Sequence, residues 1–382
     1  MTQLLSGFPP AHVSRLVIKI GSALLVDPAG QVREAWLRTL VADVAARRAA
    51  GQQIIIVSSG AIALGARRAG LAKGGRGSLE DAQAAAAIGQ IALSQTWAAL
   101  LAEQGITAAQ MLVTLDDLEH RRRYLNASAT LERLLSLGAV PVVNENDSVA
   151  TAEIRFGDND RLAARIGQAA RADAVVLLSD VDGLYTANPH VDASAMLVER
   201  IERIDAAIMA MADGGSGSGM GSGGMHSKIE AAKIATRAGA HLAIISGHKD
   251  APLSAWEQGG KGSIFVAQAP GKGSGRARQG WLAGRLTTRG HITIDAGAAR
   301  ALAKGNSLLP AGVRAVAGLF TRGDVVDIIG EDGRPIARGL SEYDSADATR
   351  IAGLRSDEIA AILGDVPRFV LVHRDHMVML GQ

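Results

Sequence analysis

The sequence predicts an α/β protein with a mainly parallel sheet covered by helices on both faces, followed by a smaller β-rich domain. Short apolar runs rich in Val, Ile and Leu alternate with longer stretches of helical spacing through residues 15–247. Such alternation is typical of parallel sheets built from strand–helix units. After a Gly-, Lys- and Arg-rich stretch at 269–280, short strands and frequent glycines predict a small barrel or sandwich with one short helix.

Six runs have the composition of buried strands, because they are rich in β-branched residues and do not alternate with polar residues. Each run ends in small or polar residues. The runs are RLVIKIGS (15–22), QQIIIVSSG (52–60), AQMLVT (109–114), AVPVVNEND (139–147), DAVVLLSD (173–180) and AHLAIISG (240–247). Between them, helical spacing occurs at 34–50, 79–104, 121–137, 159–172 and 225–240.

Polar side chains follow several of these strands at the point where each strand ends. They are Lys19, Ser59, Asn144, Asp147 and Asp180. In open parallel sheets, ligands bind beyond the carboxyl ends of the strands. We therefore expect these side chains to lie at one ligand-binding edge of the sheet.

Composition excludes several classes of protein. Hydrophobic residues make up 48% of the 382 residues, which is enough to form a core and argues against disorder. The absence of Cys excludes disulfides, thiolate metal sites and cysteine nucleophiles, and fits a cytoplasmic protein. There is no signal-peptide pattern and no uninterrupted apolar window approaching eighteen residues, so we expect no membrane-spanning helix.

A glycine-rich stretch, DGGSGSGMGSGGMHSK (213–228), leads into a predicted helix. Free N–H groups and the dipole at a helix N-terminus favour phosphate, and Lys228 adds a positive charge there. The alternative is a Gly/Ser linker. A dinucleotide-binding motif is excluded because a helix-like stretch at 204–212, rather than a strand, precedes these glycines. The sequence contains no P-loop motif.

Three further features have both a functional and a structural interpretation. Lys19 lies in an apolar strand, which is costly unless its amine meets an anion, although a lysine on an edge strand can extend to solvent. Ser58, Ser59 and Gly60 form a strand-to-helix turn that could hold an anion or could simply cap the helix. The segment 158–160, Asp-Asn-Asp, opens a predicted helix, where Asp and Asn are also ordinary caps.

In combination, these segments resemble the amino-acid kinase family. The similar segments occur in the family's order and are VIKIGS, IIIVSSGAIALG, VPVVNENDSVATAEIRFGDNDRLAARIG, LLSDVDGLYTANP and GSGGMHSKIEAAKIATRAG. The tail, from WLAGRL through ARGLSEYDS, is similar to the PUA domain that some members carry. Ser222 and Ser227 stand where the glycine-rich loop often has Thr, and both keep a hydroxyl.

The resemblance implies a three-layer α/β/α sandwich over residues 1–268, a linker at 269–280 and a PUA domain at 281–382. It implies transfer of the γ-phosphoryl group of ATP, with Mg²⁺, to the side-chain carboxylate of free L-glutamate. The product would be γ-glutamyl phosphate, at the start of proline biosynthesis, with proline as feedback inhibitor. It also implies a cytoplasmic dimer or tetramer.

The resemblance assigns roles residue by residue. It implies that Lys19, Asp160 and Lys228 are catalytic. Residues expected to contact glutamate are Ser59, Asp147 and Asn159. Residues expected to contact ATP are Lys19, Ser179, Asp180, Ser222, Gly223, Gly224, Met225, His226, Ser227 and Lys228. No protein ligand set for a metal is predicted, since Mg²⁺ is expected on ATP oxygens.

The chemistry suggests what Asp160 does. The side-chain carboxylate of glutamate has a reference pKa of about 4.3, so it is already ionised near pH 7 and needs no general base. We therefore expect Asp160 to pair with and orient Lys19 and Lys228 rather than to remove a proton.

Two alternatives remain open at this point. The first is another acceptor within the same family, such as acetylglutamate, aspartate, carbamate or a nucleoside monophosphate. The second is RNA binding through the tail, because PUA domains often bind structured RNA. Residues 276–382 contain 14 basic and 12 acidic residues, a small surplus for contacts to a phosphate backbone.

Overall fold

The computed structural model describes residues 7–27, 30–150, 158–189, 191–213, 224–268, 288–363 and 370–380. The chain divides into two compact units, Met1–Gly273 and Ser274–Gln382. The predicted linker at 269–280 lies outside the described residues.

Eight strands form one sheet among the described residues of the first unit. They are β1 (Arg15–Ile20), β2 (Gln53–Val57), β3 (Ala108–Val113), β4 (Val140–Glu145), β5 (Ala174–Ser179), β6 (Arg200–Ile201), β7 (His241–Ser246) and β8 (Gly262–Phe265). Their order is β3-β4-β2-β1-β5-β7-β8-β6. All six predicted strands are confirmed. They are the neighbours β3-β4-β2-β1-β5-β7, and each adjacent pair among them is parallel. The exception that the sequence did not indicate is β8, which runs antiparallel to β7.

Helices cover both faces of this sheet. They are α1 (Ser22–Leu25), α2 (Glu34–Ala49), α3 (Ala61–Ala69), α4 (Leu79–Ala102), α5 (Leu115–Glu119), α6 (Arg121–Ser136), α7 (Asp158–Ala170), α8 (Ala206–Asp213), α9 (Met225–Arg237) and α10 (Pro252–Glu257). The five predicted helices are present at nearly the predicted bounds. The short helices α1, α3, α5 and α10 were not predicted.

The two faces have separate apolar cores. In β1, Leu16, Ile18 and Ile20 belong to a cluster with residues of α2 and α4, whereas Val17 belongs to a cluster with residues of α6, α7 and α9. Successive side chains of a strand point to opposite faces, so the two clusters lie on opposite sides of the sheet. The first unit is therefore the expected three-layer sandwich.

Helix α4 packs against α3 with backbone contact. A Cβ placed on Gly65 would lie 1.7 Å from the Ala85 carbonyl oxygen, and one on Gly89 would lie 1.8 Å from the Ala61 carbonyl oxygen. Among the described residues, α4 is also the one helix long and apolar enough by composition to cross a membrane. Leu93 and Trp97 on this helix are buried in the sheet's core, as in the core helix of a globular domain.

The second unit has its own sheet and core. Its described strands are β9 (Gly290–Ile294), β10 (Val313–Gly318), β11 (Val325–Ile329), β12 (Pro335–Ser341) and β13 (Val372–Met379), and its helices are α11 (Ala296–Ala303), α12 (Ser345–Ile351) and α13 (Ser356–Leu363). The five described strands pair in the order β10-β9-β11-β12-β13. Ile292, Val326 and Ile351 are among the fully buried residues of its core. The predicted β-rich tail is confirmed, but the sequence predicted one short helix and the described residues contain three α-helices.

The α3–α4 contact predicts a strong effect of a single methyl group. Gly89→Ala should lower the free energy of unfolding by about 3 kcal/mol, the upper end of the range for overpacking, because backbone atoms cannot move aside as a side chain can. Chemical denaturation measures this. Gly105→Ala is the control, because nothing lies within 4 Å of that Cβ and only the positive φ of 68° adds cost. Equal losses in the two variants would contradict the close contact.

Candidate active site

Three charged side chains from distant parts of the chain meet at the carboxyl ends of the parallel strands. Lys19 comes from the end of β1, Asp160 from the first turn of α7, and Lys228 from the first turn of α9. The Lys19 Nζ lies 2.6 Å from Oδ1 of Asp160, and the Lys228 Nζ lies 3.3 Å from Oδ2. Each carboxylate oxygen therefore faces one ammonium group.

These three charged side chains are buried. The exposed fractions of Lys19, Asp160 and Lys228 are 8%, 0% and 6%. Burial alone would raise the pKa of Asp160, but attraction by Lys19 and then Lys228 outweighs it and holds the pKa below its ordinary value. The carboxyl is therefore ionised. With two ammonium groups and one carboxylate, the cluster carries a net positive charge, which suits an anionic ligand.

Asn159, the neighbour of Asp160, forms the second group of contacts. Its Nδ2 donates to the Ser59 hydroxyl at 2.6 Å, to the Ser58 carbonyl oxygen at 3.0 Å and to Oδ1 of Asn144 at 3.3 Å. The ends of β2 and β4 and the start of α7 thus converge on one amide. The structure brings together Ser59 and Asn159, which the sequence predicted as glutamate contacts.

Asp147 lies in the turn that follows β4. Backbone bonds from Asn146 to the Val113 carbonyl oxygen and from Val149 to the Asn146 carbonyl oxygen hold this turn at the strand end. The turn begins directly after the strand that carries Asn144. Asp147 is thus on the same edge of the sheet as Asn144, as the parallel arrangement requires.

The residues predicted to contact ATP are only partly described. Ser179 is the last residue of β5 and Asp180 follows it, and the Ser179 hydroxyl donates to Oδ1 of Asp180 at 2.9 Å. Ser222 and Gly223 lie outside the described residues. Gly224 precedes α9, and Met225, His226 and Ser227 form its first turn. Since β5 is the neighbour of β1 in the sheet, Ser179 and Asp180 lie beside the strand that carries Lys19.

Sequence analysis missed two polar side chains of α4 that contact these groups. The Asn144 Nδ2 donates to Oε1 of Gln90 at 2.8 Å, and the Trp97 Nε1 donates to the Ser58 hydroxyl at 3.0 Å. Both bonds come from a long Ala-rich helix that was predicted only as a core element. The available signal was the seven-residue spacing of these two side chains, which places them on one helix face.

The charges of the site fit the phosphate groups of a nucleotide. Among the residues that the structure describes, there is no group of three or more His, Asp or Glu side chains arranged to hold a metal ion. Asp160, the most buried carboxylate of the site, already faces Lys19 and Lys228. The two ammonium groups are suited to phosphate oxygens.

Comparison with known proteins agrees with this geometry. A protein of Sphingopyxis alaskensis named Glutamate 5-kinase is 67% identical over 98% of this chain and 100% of its own length. Proteins with the same name from Zymomonas mobilis and Novosphingobium aromaticivorans are 61% and 58% identical, over 98% and 96% of this chain and 93% and 96% of their own lengths. Residues 290–363 match the PUA domain. Residues 14–246, which include Lys19, Asp160 and Lys228, match the amino acid kinase family, and the chain belongs to that family.

Proposed function

We propose that this protein is a glutamate 5-kinase, which transfers the γ-phosphoryl group of ATP to the side-chain carboxylate of L-glutamate in the first step of proline biosynthesis. The observation that carries the proposal is the buried pair of ammonium groups, Lys19 and Lys228, held on one carboxylate at the ligand-binding edge of the sheet. The name and near full-length identity of the relatives support the choice of glutamate as acceptor.

The reaction brings two anions together, so its main requirement is positive charge in fixed positions. Lys19 and Lys228 supply that charge around the transferred phosphoryl group. Asp160 pairs with both ammonium groups, one at each carboxylate oxygen. A carboxyl whose pKa lies below its ordinary value is a weak base, so Asp160 orients charge and removes no proton.

Mg²⁺ bound to ATP would add positive charge to that supplied by Lys19 and Lys228 around the phosphate groups. Of the predicted nucleotide contacts, Ser179 and Asp180 at the end of β5 lie on the strand next to Lys19. The residues around Gly224 precede α9, so the phosphates would meet the N-terminal end of that helix as well as the Lys228 ammonium group.

Glutamate is proposed to bind beside Asn159. The Nδ2 of this residue donates to the Ser58 carbonyl oxygen and the Ser59 hydroxyl. The side-chain oxygen of Asn159, Oδ1, is therefore the group proposed to contact the substrate. An oxygen acceptor suits the α-ammonium group of glutamate. The carboxylate of Asp147 is the second acceptor proposed for that ammonium group.

The cellular location, the assembly and the regulation of the enzyme are also part of this proposal. We assign the enzyme to the cytoplasm, as a homo-oligomer inhibited by proline. The near balance of charge in the PUA region supports a role in interaction or regulation within the enzyme rather than RNA binding.

The proposed activity predicts ATP-dependent hydroxamate formation from L-glutamate and hydroxylamine, because γ-glutamyl phosphate reacts with that nucleophile. The same assay with acetylglutamate and aspartate tests the acceptor, and added proline tests feedback inhibition. We expect product with glutamate and little with the other two. A preference for either of those acceptors would contradict the assignment.

Asp160→Asn is predicted to lower kcat by about 100- to 1000-fold with a modest change in the glutamate KM. This is the typical cost of removing one charge-stabilising contact, because the two lysines lose the group that orients them. Steady-state kinetics on protein shown to be folded by circular dichroism measures this.

Asp43→Asn is the matched control for that variant. Asp43 is buried and its Oδ2 accepts from the backbone of Leu253 at the start of α10, outside the site. This substitution should affect stability but not the kcat of the folded fraction. A near-normal kcat in Asp160→Asn would remove Asp160 from the mechanism.

Asp147→Ala is predicted to raise the glutamate KM at least tenfold while the ATP KM changes less than twofold, since a charged hydrogen bond is worth about 1.5–3 kcal/mol. Initial rates at varied glutamate and varied ATP separate the two constants. Similar changes in both would contradict a contact with the ammonium group.

A further inference from the structure

Helix α4 carries a row of three hydrogen-bonding side chains spaced seven residues apart. They are Gln83, Gln90 and Trp97, within a helix that is otherwise rich in Ala and Leu. Residues at this spacing lie on one face, and successive members are about 10 Å apart along the axis. We call this set the α4 polar row. Each member bonds to a different segment at the carboxyl edge of the sheet.

The central member has the most direct connection to the proposed glutamate contacts. Oε1 of Gln90 accepts from Nδ2 of Asn144, and Oδ1 of Asn144 in turn accepts from Nδ2 of Asn159. Asn144 is 2% exposed, so water cannot easily replace Gln90 as the acceptor. The Gln90 amide is itself fixed by a contact of its Nε2 with the Ser94 hydroxyl one turn later. This series of hydrogen bonds links α4 through β4 to α7.

The outer members act on the neighbouring segments. Trp97 donates to the hydroxyl of Ser58, which directly precedes the predicted glutamate contact Ser59. Gln83 donates from Nε2 to the Ala150 carbonyl oxygen at 3.2 Å, at the far end of the turn that carries Asp147. The α4 polar row therefore reaches the segments of all three predicted glutamate contacts.

The helix that carries this row is held firmly in place. Gly89, the neighbour of Gln90, lets α4 approach the backbone of α3, and α3 begins directly after the turn that contains Ser58 and Ser59. A helix fixed by backbone contact can define the separation of the groups that bond to it. The bonds of the polar row thus set the positions of segments at the ends of β2 and β4 in addition to satisfying polar atoms.

We propose that Gln90 is a positioning residue for glutamate, acting through Asn144 on the amide of Asn159. The inference rests on the proposed glutamate kinase activity and deepens it. Removing the Oε1 acceptor leaves the buried Asn144 amide without its partner, and an unpaired buried donor costs about 1–3 kcal/mol unless the side chain rotates. Rotation would move Oδ1 of Asn144 away from Asn159 and disturb the glutamate pocket.

The test is Gln90→Met in the full-length protein, because Met has a similar length and shape and lacks the acceptor. We expect the glutamate KM to rise about tenfold, which corresponds to 1.4 kcal/mol. The ATP KM should stay within twofold, because Gln90 bonds to the side chain of Asn144, whereas Lys19 and Lys228 are held by their own ion pairs with Asp160. Initial rates of hydroxamate formation and thermal melting are measured on the same preparations.

Gln95→Met is the matched control, since Gln95 is an exposed glutamine on the same helix. It should leave both KM values unchanged. If Gln90→Met does not yield folded protein, Gln83→Met removes another member of the row and should likewise raise the glutamate KM selectively.

The kinetic results for the variant test the positioning role, whereas the activity of the wild-type protein tests the proposed function. An unchanged glutamate KM in Gln90→Met, or equal rises in the KM values of glutamate and ATP, overturns the positioning role while leaving the activity in place. A wild-type protein without glutamate-dependent product overturns the proposed function itself.

Discussion

The contact between one carboxylate and two ammonium groups is the constraint on which the functional edge of this protein depends. Asp160 is fully buried and faces Lys19 and Lys228, so its charge is balanced only when β1, α7 and α9 are all in place. Removing one member of such a buried group leaves uncompensated charge in a poorly solvated place. The arrangement explains why a lysine can lie at the end of a central strand of an apolar sheet.

Around these three charged residues, the proposed contacts to ATP and to glutamate come from different strands of the first unit. The ends of β1 and β5 and the start of α9 bear described residues proposed to meet ATP, whereas the ends of β2 and β4 and the start of α7 bear those proposed to meet glutamate. Since β1 lies between β2 and β5 in the sheet, Lys19 stands between the two groups. With the contacts as proposed, this order would put the phosphoryl donor and acceptor on either side of a fixed positive charge. The strand order therefore accounts for the arrangement of the site.

Most of the fold and part of the site could be predicted from the sequence. Unalternated runs such as that of β5 indicated buried parallel strands, and parallel strands bring their ends to one edge, so Lys19 and Asp180 were correctly placed there. The antiparallel direction of β8 could not be predicted, because four residues carry no signal of direction. Gln90 was missed because a glutamine in an Ala-rich helix has no distinctive local pattern, and its role depends on a tertiary contact with Asn144.

The position of the three charged residues along the chain has a consequence for biosynthesis. Lys19 is made near the start of the chain, yet the carboxylate and the second ammonium group that complete its surroundings come from residues 160 and 228. A ribosome-bound nascent chain that stops before α9 has the strands β1 to β5 of the central sheet but lacks β7, β8 and Lys228. On the proposed assignment, the phosphate site is complete only after α9 has been made, so ATP binding there cannot guide the early stages of folding.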